Sequence, residues 1–506
     1  MRWVPKSRAG WIVAGFASLV ILGLIIGAIM LAVRWPFTKT NITRQLEEIS
    51  ASKVEIQSFR ATYFPRPGCV AERVIFHHHQ DASGKPFISL SSMRIESSIP
   101  GLFSKHLARV TAQGTHVTIG HGMQEGFAGA KKSQLVVQEL IADNSLLEFS
   151  SADPANKGLV FQIHKFRLRN VGRQTVNRFE VALTNPLPPG EVIARGRLGP
   201  WEEKREQTPI SGDYQLANAQ LGVFGGIRGN LNSKGAFTGK LGQIGVSGTV
   251  DVPDFQVSSS PNHTELKSEF SAGVNARNGN VDLDKVLARI RQTTLLAAGR
   301  IATEPGKGRT AELSLSCKNG RIEDLLRLFT DSKSGPMAGA VTFTAQAHIP
   351  PAKEPFLKKL RLIGDFGIAN GEFNKPETQK SVDRLSAGAR GEKEPQDSGL
   401  VLSDLKGRAV LQQGVARLSD LSFGVPGALA QMHGTYNVIS QQVDLHGDLI
   451  TQKSIANTTS GWKSAVLRVL TPLFKKKHSE KAPVKITGTY RHPSFGLDIA
   501  AGKSSQ

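Results

Sequence analysis

Residues 428–438 read Ala-Leu-Ala-Gln-Met-His-Gly-Thr-Tyr-Asn-Val, and residues 443–449 read Val-Asp-Leu-His-Gly-Asp-Leu. Side chains along a strand alternate between its two faces, so the period to test is two. Ala428, Ala430, Met432, Gly434, Tyr436 and Val438 fall on one face of the first run. Val443, Leu445, Gly447 and Leu449 fall on one face of the second, with Asp444, His446 and Asp448 on the other. A short polar link joins the runs. The pattern predicts a strand, a turn and a return strand that share one apolar face.

The same period recurs toward the N-terminus, at Val54/Ile56, Val117/Ile119, Leu135/Val137 and Phe166/Leu168. Turn signals such as Pro188-Pro189-Gly190, Arg277-Asn278-Gly279-Asn280 and Glu304-Pro305-Gly306 return roughly every 8 to 14 residues, the spacing of serial hairpins. Glycine supplies 51 of 506 residues without a collagen period, which again points to turns and bulges. Helical patterns are few. They are an amphipathic piece at Thr38–Ile49, a stripe of Ile322, Leu325, Leu326 and Phe329 leading through Glu323–Asp331, and Trp462–Phe474. With no alternation of strands and helices, a Rossmann-like fold or TIM barrel is disfavoured. The chain therefore reads as mainly β, either closed barrels or sandwiches, or one long curved antiparallel sheet whose apolar faces form a groove. The groove is the preferred reading. About 20 to 25 strands at ~4.8 Å would extend it to ~100 Å. Such an apolar surface must be covered by something, and acyl chains would serve.

Trp11–Val33 is an uncharged run of 23 residues. As a helix it is about 34 Å long, enough for a bilayer core of about 30 Å. Arg2, Lys6 and Arg8 precede it, and Arg34, Lys39 and Arg44 follow. It lacks the short apolar region and small-residue end of a cleavable signal. The expected organisation is a cytoplasmic N-terminus at 1–10, a transmembrane signal anchor at 11–33 and a β-groove body at 34–371. A charged loop or boundary at 372–397 and a C-terminal β region at 398–506 complete it.

The chain carries a formal charge of +21. Its basic residues are interleaved with acidic ones and no nucleic-acid module is present, so anionic lipid or glycan is the better partner than nucleic acid. The Trp462–Phe474 face, with Trp462, Val466, Leu470 and Leu473, leads into Lys475, Lys476 and Lys477. That is the pattern of a helix lying at an anionic membrane surface, or of a helix packed on the sheet with a solvated basic tail. Two cysteines, Cys69 and Cys317, exclude a disulfide scaffold. Of His77-His78-His79, only His77 and His79 share a strand face, which makes polar hairpin residues the simpler reading than a metal site. Asp282 and Asp284 lack the glycine and closing glutamate of a calcium loop. Gly225-Gly226-Ile227-Arg228-Gly229 lacks the Lys-Ser/Thr of a phosphate loop. No nucleophile or acid/base motif is found, so no catalytic residue, metal or cofactor is expected.

Three groups of motifs occur in order. The first is Lys53-Val54-Glu55-Ile56, Tyr63-Phe64-Pro65-Arg66-Pro67-Gly68, Gly101-Leu102-Phe103-Ser104 and Gln113-Gly114-Thr115-His116. The second is Gly199-Pro200-Trp201, Pro209-Ile210-Ser211-Gly212-Asp213-Tyr214, Ser233-Lys234-Gly235-Ala236-Phe237 and Val246-Ser247-Gly248-Thr249-Val250. The last is Val425-Pro426-Gly427-Ala428, His433-Gly434-Thr435-Tyr436 and Ile486-Thr487-Gly488-Thr489-Tyr490. Together they resemble the AsmA-like family over nearly the whole chain. The resemblance implies an inner-membrane anchor, a periplasmic body and an apolar β-groove implicated in moving phospholipid toward the outer membrane. It carries no catalytic motif. The groove candidates are Ala428, Ala430, Met432, Tyr436, Val438, Val443, Leu445 and Leu449. A rival reading is an assembly factor that binds outer-membrane or other envelope proteins through exposed strand edges.

Overall fold

The computed structural model describes residues 36–77, 86–104, 106–119, 136–149, 158–172, 175–202, 204–275, 279–304, 308–331, 333, 335–351, 354–374, 403–425, 428–451, 481–489 and 492–498. The chain is mainly β and its strand pairing is mostly antiparallel. Two compact units divide near residue 179. The anchor candidate at 11–33, most of the charged stretch at 372–397 and the Trp462–Phe474 segment lie outside the described residues.

In the first unit a helix at Lys39–Ser50 precedes seven strands. Thr38 caps it, its Oγ1 accepting from the Asn41 N–H at 3.3 Å, and Ala51 ends it in the left-handed conformation. This matches the amphipathic piece expected at Thr38–Ile49. The helix puts Ile42 and Leu46 onto β1 (Lys53–Thr62), β2 (Gly68–His77) and β3 (Pro86–Ser97), whose Val54, Ile56, Val74, Phe76 and Ile95 form the core beneath it. These three strands form an antiparallel meander. The meander then gives way to a different pairing. β4 (His106–Gln113) and β5 (His116–Ile119) both pair antiparallel with β3, as one strand interrupted at Gly114. β6 (Val136–Phe149) pairs parallel with both, and β7 (Leu159–Val171) returns antiparallel. The all-antiparallel expectation therefore fails at β6. A parallel neighbour needs a crossover connection rather than a turn, and residues 120–135 supply the chain length for one.

The second unit starts within β8 (Asn177–Pro186) and continues with β9 (Pro189–Leu198), β10 (Pro209–Gln220), the two-residue β11 (Ile227–Arg228) and β12 (Asn230–Lys240). Next come β13 (Gln243–Val257), β14 (Thr264–Val274), β15 (Val281–Ile290), β16 (Thr293–Glu304) and β17 (Gly308–Arg321). β18 (Met337–Ile349), β19 (Arg361–Phe373), β20 (Ser403–Gln412) and β21 (Val415–Val425) follow. β22 (Ala428–Asn437), β23 (Gln442–Thr451), β24 (Lys481–Thr489) and β25 (His492–Leu497) close the chain. From β9 to β25, with β11 set aside, each strand pairs antiparallel with the next.

Asn and Asp residues in the left-handed conformation mark where these strands bend. Asn218, Asn319, Asp404 and Asp420 have φ between 52° and 54°, and each coincides with a shift in ladder register. An extra residue on one strand breaks the pleat and raises the local twist. Asn pays the smallest steric cost there after glycine. Asn319-Gly320, just ahead of the stripe that starts at Ile322, is thus a bulge inside β17, and only Ile322–Leu326 of the expected helix is regular.

Candidate functional site

The ladder partners of the second unit can be followed residue by residue. One rung starts at Gly196 and passes through Gly212, Phe237 and Val246 to Ala272 and Leu283. It continues through Gly299, Leu313, Ala347 and Leu362 to Leu411. It ends at Ala416, Tyr436, Val443 and Gly488. No member is charged, and the Tyr436 hydroxyl is its one polar side-chain group. The neighbouring rung on the same face, from Tyr214 through Leu315 to Leu445 and Ile486, is uncharged as well. The opposite face carries charges of both signs, some of them paired across adjacent strands. Arg300 meets Asp282 at 3.4 Å, His348 meets Glu312 at 3.7 Å and Arg408 meets Asp365 at 3.9 Å. The sheet is thus amphipathic from β9 to β24.

Burial of the apolar face changes along the ladder. From β18 to β23 the neighbouring rungs are closed into a core, with Val341, Ala345, Ile368, Leu421, Met432 and Leu445 buried, while Leu362, Leu411, Tyr436 and Val443 of the first rung stay half-buried. From β9 to β13, by contrast, Val192, Leu198, Tyr214, Leu216, Phe237 and Val246 remain half-buried. In a packed sandwich, inner-face residues of this kind would be sealed by a second sheet. Glycines lower this part of the face. A Cβ on Gly235 would lie 2.1 Å from the Ser247 carbonyl oxygen and 2.9 Å from the Tyr214 ring, and a Cβ on Gly212 would lie 2.8 Å from the Phe237 ring. Both aromatic rings therefore lie against glycine backbone, and the Tyr214 hydroxyl is held by Ser233 Oγ at 3.0 Å.

A second apolar cluster joins the two stretches. The segment Ile322–Thr330 brings Leu325, Leu328 and Phe329 to Phe255, Val257, Leu266 and Ile290 at the ends of β13–β15. The short helix Phe356–Lys359 adds Phe356 and Leu357. Polar anchors hold the segment. Buried Asp324 accepts from the Gln292 N–H at 3.1 Å and from Thr293 Oγ1 at 3.0 Å, and meets Arg291 at 3.1 Å. Asn262 Nδ2 donates to the Thr330 carbonyl at 2.8 Å, and Gln441 Nε2 donates to the Phe329 carbonyl at 3.3 Å. Gln441 lies in the β22–β23 turn, so the segment is tied to the ladder at both sides.

The β22–β23 hairpin places the sequence candidates as follows. Ala430, Met432 and Leu445 are buried in one cluster, against which Val443 and Leu449 pack, and Tyr436 is half-buried. Leu445 lies between Gly434 and Ile486, and Tyr436 lies opposite Val443, so the two strands share a face. Val438 departs from the expected strand. Asn437 Oδ1 accepts from the N–H groups of Ile439 and Ser440, both at 2.9 Å, and this Asx turn starts the loop one residue earlier. Ala428 opens β22, but its side chain lies outside what is described. Trp462, Val466, Leu470, Leu473, Lys475, Lys476 and Lys477 also lie outside the described residues. The sequence reading places a groove body at 34–371 but names none of the face residues of β9–β19. Ile210, Gly212, Tyr214 and Leu216 carry the same period, but the intervening glycine obscures it.

On the polar face, His446 Nδ1 shares a hydrogen bond of 2.6 Å with Asp498, which is buried, and Nε2 one of 3.0 Å with Asp444. The Asp498 bond raises the His446 pKa above the ordinary histidine value against the opposing effect of burial, and Asp444 adds to the rise. Cys69 and Cys317 are free and buried, and burial pushes the Cys69 thiol up to about 12. His77 stands 3.8 Å from Glu55, and Asp282 is engaged by Arg300. Among the described residues no group of three His, Cys, Asp or Glu could hold a metal, and no helix is long and apolar enough to cross a membrane.

Comparison with family profiles, with curated proteins and with solved structures gives no match.

Proposed function

We propose that this chain is an AsmA-like envelope protein that binds phospholipid acyl chains along its apolar β-face and helps move them toward the outer membrane. The uncharged rung that runs through the paired strands from β9 to β24 supports this reading most directly. An alkyl chain crossing it meets only Gly, Ala, Val, Leu, Phe and Tyr, so no strongly bound position interrupts sliding. Each methylene withdrawn from water contributes about 0.8 kcal/mol, and head groups stay at the wet edge. Trp11–Val33 anchors the protein in the inner membrane, with the body in the periplasm. The protein is not an enzyme in this reading and needs no cofactor.

The test keeps the anchor during folding. A protease site inserted ahead of Pro36 in the full chain releases the body from washed membranes without detergent. Lipid extraction and mass spectrometry then count phospholipid per body. Close to one or more per chain is expected. A folded, lipid-free body would refute the reading, and a co-purified outer-membrane protein in its place would favour the assembly-factor alternative.

A further inference from the structure

The three most exposed large apolar side chains in the described structure belong to the first unit: Phe64 at 91%, Tyr63 at 67% and Ile99 at 64%. They are neighbours at one rim. Tyr63 and Phe64 form the β1–β2 turn, and Ile99 follows the end of β3. The Ser97 N–H donates to the Pro67 carbonyl at 2.8 Å, Gly68 lies opposite Glu96, and Arg66 meets Glu96 at 3.8 Å. These contacts fix the turn beside Ile99. Isolated exposed apolar residues need no explanation, but three this exposed on one rim do.

The surrounding charge is basic. Arg60 and Arg66 are exposed on the turn and its strand, and Arg94 stands on the same ladder rung as Arg60, through Val70. Glu96 is the acidic group facing Arg66. Aromatic side chains above a belt of arginines match the boundary of an anionic bilayer, where rings sit among head groups and guanidinium groups meet phosphate.

Chain direction agrees. Glu47 Oε1 accepts from the Val54 N–H at 3.1 Å, which sets the end of the helix Lys39–Ser50 over the start of β1. The helix therefore runs back along the sheet, and its N-terminus faces the rim. Helix and strand lengths of about 18 Å and 33 Å leave Pro36 within about 15 Å of the rim level. Pro36, the first described residue, is thus on the rim's side of the unit.

We propose that the Tyr63–Phe64–Ile99 rim docks into the interfacial region of the anionic membrane that anchors the chain. This rests on the reading of Trp11–Val33 as a membrane anchor, and it is independent of whether the second unit carries lipid.

The test uses the full chain with Phe64→Cys, labelled with an environment-sensitive nitrobenzoxadiazole dye. Phe64 is almost fully exposed and the native thiols of Cys69 and Cys317 are buried, so the label is specific and the fold is retained. The variant is reconstituted into vesicles of phosphatidylethanolamine and phosphatidylglycerol, with or without lipid carrying a nitroxide near the top of its acyl chain. Lys53→Cys, at the far end of β1, is the reference. Flotation after an alkaline wash reports anchoring separately. In anchored protein, quenching of the position-64 label by about twofold or more is expected, with the position-53 label unaffected. Arg60→Glu with Arg66→Glu should reduce the quenching. Equal quenching at 64 and 53 in protein that floats would overturn the proposal while leaving the anchor intact.

Discussion

The decisive perturbation of the apolar face is Val246→Asp, paired with Ser247→Asp on the same strand. Val246 belongs to the uncharged rung, between Phe237 and Ala272, and is half-buried. Ser247 is exposed on the opposite face. Because Val246 is only half withdrawn from water, the fold loses about 1 kcal/mol of burial when it is replaced. Both variants share the poor strand propensity of Asp, so that contribution cancels between them. The cost to a bound acyl chain is larger. Four or five methylenes passing over Val246 contribute about 3 to 4 kcal/mol. A carboxylate beneath them must either be stripped of water or keep them away. A loss of about 3 kcal/mol corresponds to roughly a 150-fold drop in affinity. Phospholipid bound per released body, measured by extraction and mass spectrometry, should fall close to zero in Val246→Asp and stay at the wild-type level in Ser247→Asp. Thermal unfolding should move by only a few degrees in both. If Val246→Asp retains its lipid while folded, the β9–β13 face does not carry acyl chains, and the groove reading fails there.

Further substitutions test how the sheet is held. Leu445→Asp, in the closed part of the face, should cost at least about 3 kcal/mol in chemical denaturation, whereas Asp444→Lys on the polar face should cost about 1 kcal/mol or less; equal costs would contradict the facial assignment. Asp324→Ala strands the Gln292 N–H and the Thr293 hydroxyl and should cost about 2 to 4 kcal/mol, read as faster hydrogen exchange across 322–330. Gly235→Ala should destabilise by more than about 1 kcal/mol and displace the Tyr214 ring, seen as a change in aromatic circular dichroism, because the new methyl meets the Ser247 carbonyl. His446 has a folded pKa raised by Asp498, so its contribution is complete below the ordinary value of about 6.5 and is lost as pH rises through the higher folded value. The melting temperature of wild type relative to Asp498→Asn should therefore shrink from pH 5.5 to pH 9, and a constant difference would dismiss the coupling.

Legibility in the sequence followed the physics of each element. The β22–β23 hairpin was plain because bulky apolar residues alternate with Gln, His and Asp over two full strands. Its turn starts one residue earlier than the alternation indicates, since an Asx turn depends on the Asn437 side chain reaching two N–H groups rather than on hydrophobicity. In β12 and β13 the inner face uses Gly235 and Gly248, which have no hydrophobicity to register, and their meaning emerges only when the Tyr214 ring is seen lying on them. Asn319-Gly320 shows a similar ambiguity: one dipeptide serves a hairpin, a helix entry or a bulge, and neighbouring strands decide among them. The parallel placement of β6 had no local signature at all. It is fixed by which edge of β4 and β5 remained open, a tertiary fact. The rim at Tyr63–Phe64 read only as part of a motif, because exposure cannot be taken from residue type.

The choice between a face that binds lipid and an edge that binds protein turns on how each scales with chain length. An antiparallel ladder has two edges however many strands it contains. Each added strand enlarges the apolar face by one row about 4.8 Å wide and leaves the number of edges unchanged. In the second unit the terminal strand at the C-terminal end, β25, is six residues long, contains Pro493 and is held back through Asp498 to His446. Short length and proline are features that discourage strand addition. An edge-binding protein would gain nothing from the strands between β9 and β24, and nothing would require all of them to keep the same rungs free of charge. A protein that conducts an alkyl chain needs both properties, since one charged rung would stop the chain wherever it fell. The distribution of charge, present in both signs on one face and absent from two rungs of the other, therefore favours the face as the working surface.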